Sequence, residues 1–498
     1  MTRRKQRKQT PRPSSSQVQL AALEKYRLLI SAEEFLALQA ELEKPLVGAL
    51  RVNPQKANPD EMIPAWADRY GWSLRAVPYC PTGWWLDKIE SPPSQTPEHR
   101  MGFYYLQDAA SMLPVELFDF EPGETPLVLD MAASPGGKTT HLLDRMADQG
   151  LVMANDSSAS RIQALRVVLA NWGAVSGAVT NFPGEKFGAW FPETFDRVLL
   201  DAPCSMENLR STESHPMRPI TNRERLALAD RQVRLLVSAL QAVRVGGQVV
   251  YSTCTLAPEE DEGVLDAVLT RYGRAVQLDD VNERLRASAP GLRQVGELAY
   301  HPDVVRAARL FPHRLGTSGF FAARLTKTDS ILGEQEQIPA RSLTRAGWQP
   351  VPDVVVREQA ESLLQKYGLD IAGKVSGGNL VFWQNGASVI LAPATYFNRF
   401  GEFPVQMLGL LFAEQTPSGW EITHQAAARY WREIQSGKIL LDFDQVNAWQ
   451  RGENLSLRIS ILPAGQVAML TDSWGRYLGR GRITSRGVKN LLPRRVIY

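Results

Sequence analysis

Four short runs constrain this chain more than any other feature: Leu127-Val-Leu-Asp130, Leu151-Val-Met-Ala-Asn155, Arg197-Val-Leu-Leu-Asp201 and Gly247-Gln-Val-Val-Tyr-Ser252. Each is mostly apolar without strict alternation, and stretches with helical spacing lie between them. Strands of this kind are buried on both faces, as in a parallel sheet flanked by helices. The expected core is therefore a doubly wound, Rossmann-like α/β domain over residues 106–326. Such sheets bind ligands outside the carboxyl ends of their strands. Asp130, Asp156, Asp201, Cys204 and Cys254 should accordingly converge on one crevice.

At about 150 residues per domain, a length of 498 allows roughly three domains. Residues 1–16 combine a basic run (Arg3, Arg4, Lys5, Arg7, Lys8) with Thr-Pro-Arg-Pro-Ser-Ser-Ser, and read as a flexible tail. Residues 17–105 read as a small accessory α/β region. Its helical periodicity runs from Val18 to Leu50, and in the stretch from Trp66 to Tyr105 the residues Pro78, Pro81, Pro92, Pro93 and Pro97 mark small strands and turns. The polar stretch 327–345 reads as a linker before an α+β part, 346–415, and a β domain, 416–498.

Lys+Arg 56 against Asp+Glu 53 leaves a net charge of +3, too close to balance to argue for a nucleic-acid partner by bulk electrostatics, so any basic surface must be local. No apolar run approaches the length of about 18 residues that a membrane span needs, and Leu20 to Ile30 is too charged for a secretory signal. The odd cysteine count (Cys80, Cys204, Cys254) points to a reducing, cytoplasmic setting. With six scattered histidines and no Cys-x-x-Cys, no metal is expected. A monomer is expected.

The turn Ala132-Ala133-Ser134-Pro135-Gly136-Gly137-Lys138 joins the first strand to a helix beginning near Thr139. Glycines let a backbone approach a ligand, and a helix N-terminus offers free N–H groups. A phosphate-cradling P-loop would need glycine where Ala132 stands, and Pro135 removes an amide. Asp156 follows Asp130 by 26 positions, near the spacing of about 20 at which this fold places its ribose-binding acid. A nucleoside-bearing cofactor fits better than a triphosphate.

Asp201-Ala-Pro203-Cys204-Ser205 and Tyr251-Ser-Thr-Cys254-Thr255 each follow a strand. Two thiols beside such a cofactor suit methylation of a cytosine ring. A thiolate adding to C6 makes C5 nucleophilic toward a sulfonium methyl group. A second thiol suits loss of the C5 proton, and Asp201 could hold the exocyclic amine and N3 side of the base. On these grounds alone the two cysteines are interchangeable.

These pieces resemble the Nol/Nop/Sun family of RNA (cytosine-5)-methyltransferases, which use S-adenosyl-L-methionine. The resemblance covers Ala132–Lys138, Asn155-Asp156 with Arg161, Asp201–Ser205, Ser252–Thr255 with Pro258-Glu-Glu260, and Gly316-Thr-Ser-Gly-Phe-Phe321. Upstream, Arg51-Val52-Asn53 and Gln107-Asp108-Ala-Ala-Ser111 also match. It implies a class I methyltransferase core, Cys254 as nucleophile, Cys204 as the thiol for product release, and a cofactor pocket of Ala132–Lys138, Asp156 and Asp201. Asp201, Pro203 and Arg161 would meet the substrate base.

The C-terminal Ala468–Asp472, Gly479–Arg482 and Lys489–Arg495 resemble the PUA-like RNA-binding domain of bacterial ribosomal small-subunit enzymes of this family. They imply a phosphate-facing strip that includes Arg494 and Arg495, with Trp474 and Tyr477 available to stack on bases. Ribosomal RNA or the small subunit is then the expected partner. Transfer RNA, a catalytically silent RNA-binding assembly factor and an ATP-driven enzyme are the alternatives. Two departures stand out: Met206-Glu207-Asn208 where the family commonly has Gly-Glu-Gly, and Pro183 where many members carry an aspartate near the cofactor adenine.

Overall fold

The computed structural model describes residues 23–210, 218–285, 287–341, 343–457 and 462–497. The tail expected over 1–16 lies outside them. The four apolar runs form strands β5 (Leu127–Asp130), β6 (Leu151–Asn155), β8 (Phe195–Asp201) and β9 (Val243–Thr253), and β7 (Gly177–Thr180) joins them. The five are parallel in the order β7-β6-β5-β8-β9. Beyond β9 runs antiparallel β12 (Phe320–Lys327), which also pairs with β10 (Val276–Asp279) and β11 (Ala308–Leu310).

Alternation explains the continuous apolar runs. Leu129, Met153, Ala178, Val198 and Val249 enter one core, and their neighbours Val128, Val152, Val179, Leu199 and Val250 enter the other. Both faces are covered, as a sheet wound on two sides by helices requires. Helices α3 (Gly137–Arg145), α4 (Ala159–Trp172), α5 (Asn222–Ala242) and α6 (Glu262–Tyr272) connect these strands. The strand order reverses at the β5/β8 pair, which opens a crevice at their carboxyl ends.

The accessory region is a four-stranded sheet, β2-β3-β1-β4, of β1 (Ala49–Val52), β2 (Ser73–Ala76), β3 (Gly83–Lys88) and β4 (Tyr104–Gln107). Of the helical reading of Val18–Leu50, 18–22 lie outside the described residues; among the rest are a short 3-10 turn, Lys25–Leu28, and α1 (Ala32–Leu42), whose N-cap Ser31 accepts from Glu34 N–H, while Ala49 and Leu50 begin a strand. Strands and turns were expected from Trp66, but Trp66 sits in α2 (Pro59–Tyr70). Pro59 opens that helix at its first position, where its missing N–H costs nothing, and Asn58 caps it. The expected boundary at 105/106 cuts β4, which pairs wholly with β1.

Toward the C-terminus, a five-stranded antiparallel sheet ends at Gly419–Ile422 and a four-stranded sheet begins at Lys438–Leu440. The expected 415/416 division cuts the strand Leu410–Thr416, which forms a hydrogen-bonded hairpin with Gly419–Ile422. This region also completes the core: Met407–Leu408 pairs antiparallel with β7 and covers the sheet edge. Phe400 and Phe403 pack edge-on or stacked against Phe191 and Phe195. The stretch expected as a linker is irregular after Lys327, but Lys327 itself ends β12 and donates from its buried Nζ to Val243 O (2.9 Å). Among the described residues, no helix is long and apolar enough to cross a membrane.

Candidate active site

The turn after β5 is held from below by β6. Ala133 N–H donates to Asn155 O (2.7 Å), Asn155 Nδ2 to Met131 O (3.1 Å) and Ser134 N–H to Asp156 Oδ2 (3.2 Å). Gly136 has φ +116°, a backbone that side chains rarely adopt, and α3 starts at Gly137. A Cβ on Gly137 would stand 2.8 Å from the Tyr105 ring, so this glycine lets β4 approach the turn.

Three carboxylates line the crevice. Asp130 is buried, Oδ2 accepts from Thr139 Oγ1 (2.7 Å), and Oδ1 has no hydrogen-bond partner. Burial, helped by the neighbouring Asp201 and Asp156 charges, pushes Asp130 up to about 7 against the Thr139 hydrogen bond. Asp201 accepts from Ser252 Oγ (2.8 Å) and pairs with Lys138 Nζ (2.8 Å). Burial opposes the Lys138 charge, yet Asp201, Cys254 and Asp130 together raise its pKa. Asp156 Oδ1 accepts from Ser158 N–H (2.8 Å), and each of its oxygens keeps a lone pair.

Cys204 Sγ and Cys254 Sγ lie 3.2 Å apart. The adjacent Cys254 sulfur and then burial push the Cys204 thiol well above the usual range, so Cys204 keeps its proton. The loops carrying the two sulfurs are fastened to each other. Ser205 and Thr255 hydroxyls meet at 3.1 Å, and Glu260 Oε2 accepts from Ser205 N–H (2.9 Å) and Gln232 Nε2 (2.9 Å). Gln232 also donates to Pro203 O (2.8 Å). Further along, Thr253 Oγ1 donates to Asp261 (2.7 Å), and buried Arg309 donates to Glu262 (2.6 Å).

Met206 holds the left-handed backbone, φ +62°, that suits a glycine. Glu207 anchors the loop by accepting from Arg225 Nε (2.9 Å) and Lys25 Nζ (2.6 Å). Asn208 O accepts from Gly319 N–H (2.8 Å). Leu209 and Leu256 pack with Tyr26, Phe35 and Leu38, so the N-terminal arm lies across both cysteine loops.

The structure thus brings together Asp130, Ala132–Lys138, Asp156, Asp201, Pro203, Cys204 and Cys254. Arg161 lies on the turn, donating to Ser134 O and standing 3.4 Å from Asp156. Arg494 and Arg495 are elsewhere: Arg495 Nε donates to Asn171 Oδ1 (2.9 Å) at the end of α4, at the opposite edge of the sheet. The basic strip is also narrower than expected. Arg476, Arg480 and Arg482 turn toward Asp472, Ile422 O and Glu421. Tyr477, expected to stack on bases, is a core residue at 1% exposure.

Arg51 is the main functional residue that sequence reasoning passed over. Fully buried, it pairs with Asp144 and donates to Gly137 O (3.1 Å) and Thr140 Oγ1 (2.6 Å), so the accessory sheet grips the start of α3. Its only signal was the Arg-Val-Asn motif. Glu260 and Asp108 were likewise visible only as motif letters; Asp108 accepts from Ser318 N–H (3.1 Å). Cys80, Glu116 and His141 also cluster. His141 Nε2 lies 2.9 Å from Glu116, and Arg145 pairs with the same carboxylate (3.1 Å), so charge there is already balanced.

The family described as 16S rRNA methyltransferase RsmB/F matches residues 117–326, and the N-terminal domain of 16S rRNA methyltransferase RsmF matches 21–109. The ribosomal RNA small subunit methyltransferase F of Vibrio parahaemolyticus is 32% identical over 488 residues, covering 96% of this chain and 97% of its own. That of Citrobacter koseri is 33% identical over 472 residues, 94% and 93% of the two chains. Among solved structures, a methyltransferase homolog from Pyrococcus horikoshii superposes with a TM-score of 0.51 at 30% identity, over 62% of this chain and 99% of its own. NSun6 from Pyrococcus horikoshii with SFG shares the fold, with a TM-score of 0.51 at 21% identity over 62% and 98%.

Proposed function

Because the chain belongs to the RsmB/F family of 16S rRNA methyltransferases, we propose that it methylates C5 of a cytosine in small-subunit ribosomal RNA through a covalent cysteine–C6 adduct. S-adenosyl-L-methionine is the cofactor, and when bound it supplies an electrophilic methyl group. The residues suit it. Asp130 Oδ1 is an orphaned buried acceptor matched to a cationic group, and Asp156 stands where the fold holds a ribose. Ala132 to Lys138 form the turn along which the rest would lie.

The observation that carries the proposal is the pair of sulfurs 3.2 Å apart at the carboxyl edge of the sheet, beside that turn. Cys254 Sγ attacks C6, and beside it Lys138 Nζ pairs with Asp201 (2.8 Å). Asp201 accepts from the exocyclic amine and, once N3 has taken a proton from solvent as the sulfur adds, from N3–H, and so faces the positive charge that methyl transfer to C5 leaves on that edge. Cys204 stays protonated while a thiolate is next to it. Once Cys254 has become a thioether, the main influence raising the Cys204 pKa is gone. Cys204 can then lose its proton to solvent and take the C5 proton, and the C5–H electron pair expels Cys254 from C6. The target base must leave its stack to expose C5 and C6.

The test uses methyl-labelled S-adenosyl-L-methionine with small-subunit particles, naked ribosomal RNA and transfer RNA, and the modified base is identified by digestion. 5-Methylcytosine in ribosomal material is the expected result. Label in transfer RNA alone would move the substrate, and cofactor binding without label on any RNA would identify a silent binding factor.

A further inference from the structure

The two sulfurs are positioned by different means. Cys254 directly follows β9, whose last residue Thr253 pairs with Phe321 of β12 and donates from Oγ1 to Asp261 (2.7 Å). Just past it, Leu256 N–H donates to Glu207 O (3.2 Å), and Leu256 O accepts from the buried Arg309 guanidinium. Cys204 lies on irregular backbone beyond β8, which ends at Asp201. Ala202 N–H still donates to Ser252 O (2.8 Å), and the next side-chain anchor along the loop is Glu207 with Arg225 (2.9 Å). On such a span a sulfur goes where its flanking peptide groups are tied.

Both flanks of Cys204 are tied to one carboxylate. Glu260 Oε2 accepts from Ser205 N–H (2.9 Å) on one side, and on the other it reaches Pro203 O through Gln232, whose Nε2 donates to Glu260 (2.9 Å) and to Pro203 O (2.8 Å). Glu260 stands on the turn between Cys254 and α6, and Tyr251 Oη, from within β9, donates to its backbone oxygen (2.5 Å). The clamp therefore refers Cys204 to the backbone that carries Cys254. Glu260 and Gln232 are fully buried, and among the described residues Glu260 Oε1 has no hydrogen-bond partner. A buried carboxylate with one oxygen unpaired stabilises little by itself. What it does here that an apolar side chain does not is fix the peptide groups on either side of a sulfur.

We propose that Glu260, acting with Gln232, is the positioning residue of the release step: it holds Cys204 at the C5 hydrogen of the methylated adduct, while attack by Cys254 and methyl transfer proceed without it. In that step the Cys204 thiolate takes the C5 proton, the C5–H electron pair becomes the C5=C6 double bond, and the C6–S bond breaks to return Cys254 as a thiolate. The inference rests on the reading of Cys254 as nucleophile and Cys204 as base. It follows from the asymmetry of the two supports. Removing the Glu260 side chain frees Pro203 and Ser205, but leaves the β9–β12 pairing, the Arg309 contact and the Tyr251 bond to backbone in place. A displacement of about 1 Å is enough to slow a positioned transfer about a hundredfold.

The test incubates the full chain as wild type, Glu260→Ala, Glu260→Gln, Gln232→Ala and Cys204→Ala with methyl-labelled S-adenosyl-L-methionine and ribosomal RNA. It reads turnover and the labelled protein–RNA adduct that survives denaturation. Glu260→Ala should lower kcat about a hundredfold and accumulate adduct as Cys204→Ala does. Its kcat/KM for RNA should stay nearly unchanged, because methyl transfer is complete before the affected step. Glu260→Gln, whose amide oxygen can accept the same two N–H groups, should restore turnover. Gln232→Ala, which frees only Pro203 O, should lower kcat less and trap a smaller share, and it decides the matter if Glu260→Ala does not fold. Normal turnover in the alanine variants, turnover lost without adduct, or no restoration by Glu260→Gln overturns the proposal. A wild type that makes no 5-methylcytosine, or a Cys204→Ala that traps no adduct, instead refutes the reading on which the inference rests.

Discussion

At the scale of single residues, Asp130 links cofactor binding to pH. Its pKa of about 7 lies above the ordinary carboxylate value, so the free protein holds a proton that the unfolded chain has already lost. The associated stability is complete below the unfolded pKa and is lost as pH rises through about 7. A cationic ligand group needs the ionised form, so cofactor affinity should rise between about pH 6 and 8 and level off above. Calorimetric titration with S-adenosyl-L-methionine checks this, and Asp130→Asn should flatten the profile. Met206 makes a second prediction. Returning glycine to φ +62° removes strain of about 1–2 kcal/mol, partly offset by glycine's chain entropy. Met206→Gly should therefore raise the urea midpoint slightly and keep activity.

Elements show what the sequence disclosed and what it concealed. The core strands were legible because burial on both faces writes an uninterrupted apolar run, and Leu127–Asp130 and Leu151–Asn155 match to the residue. The crevice was legible because its residues end those strands. Helix α2 was not, since it opens on Pro59 and carries Pro64 inside it, and proline ordinarily interrupts a helix except at its first position. Arg51 was hidden for another reason: an arginine in a strand looks solvent-facing, and its partners Asp144 and Thr140 lie some 90 positions away. Replacing it with Met leaves Asp144 buried and unpaired, which should cost about 3–5 kcal/mol in urea unfolding at about pH 8. The loss should shrink toward acid, because burial already pushes Asp144 up to about 7 and a protonated carboxyl needs no partner.

For the whole molecule, the regions are less separable than composition suggested. Arg429, in the C-terminal half, donates to Gln55 O (3.0 Å) and pairs with Asp148 (3.2 Å), tying three parts of the chain together. Met407–Leu408 occupies the edge of the core sheet. A chain cut after Thr328 should therefore expose β7 and the Phe191 and Phe195 rings and aggregate, as light scattering would record; a well-behaved monomer would contradict this. No local pattern could disclose a strand lent across more than two hundred residues, since two residues are too few to read. The proposed chemistry turns on the two sulfurs. Its most direct test incubates wild type, Cys204→Ala and Cys254→Ala with S-adenosyl-L-methionine and ribosomal RNA, followed by denaturing electrophoresis. A protein–RNA adduct accumulating only in Cys204→Ala, with methylation abolished in Cys254→Ala, is the predicted result. An adduct in Cys254→Ala, or turnover surviving without Cys254, would contradict it.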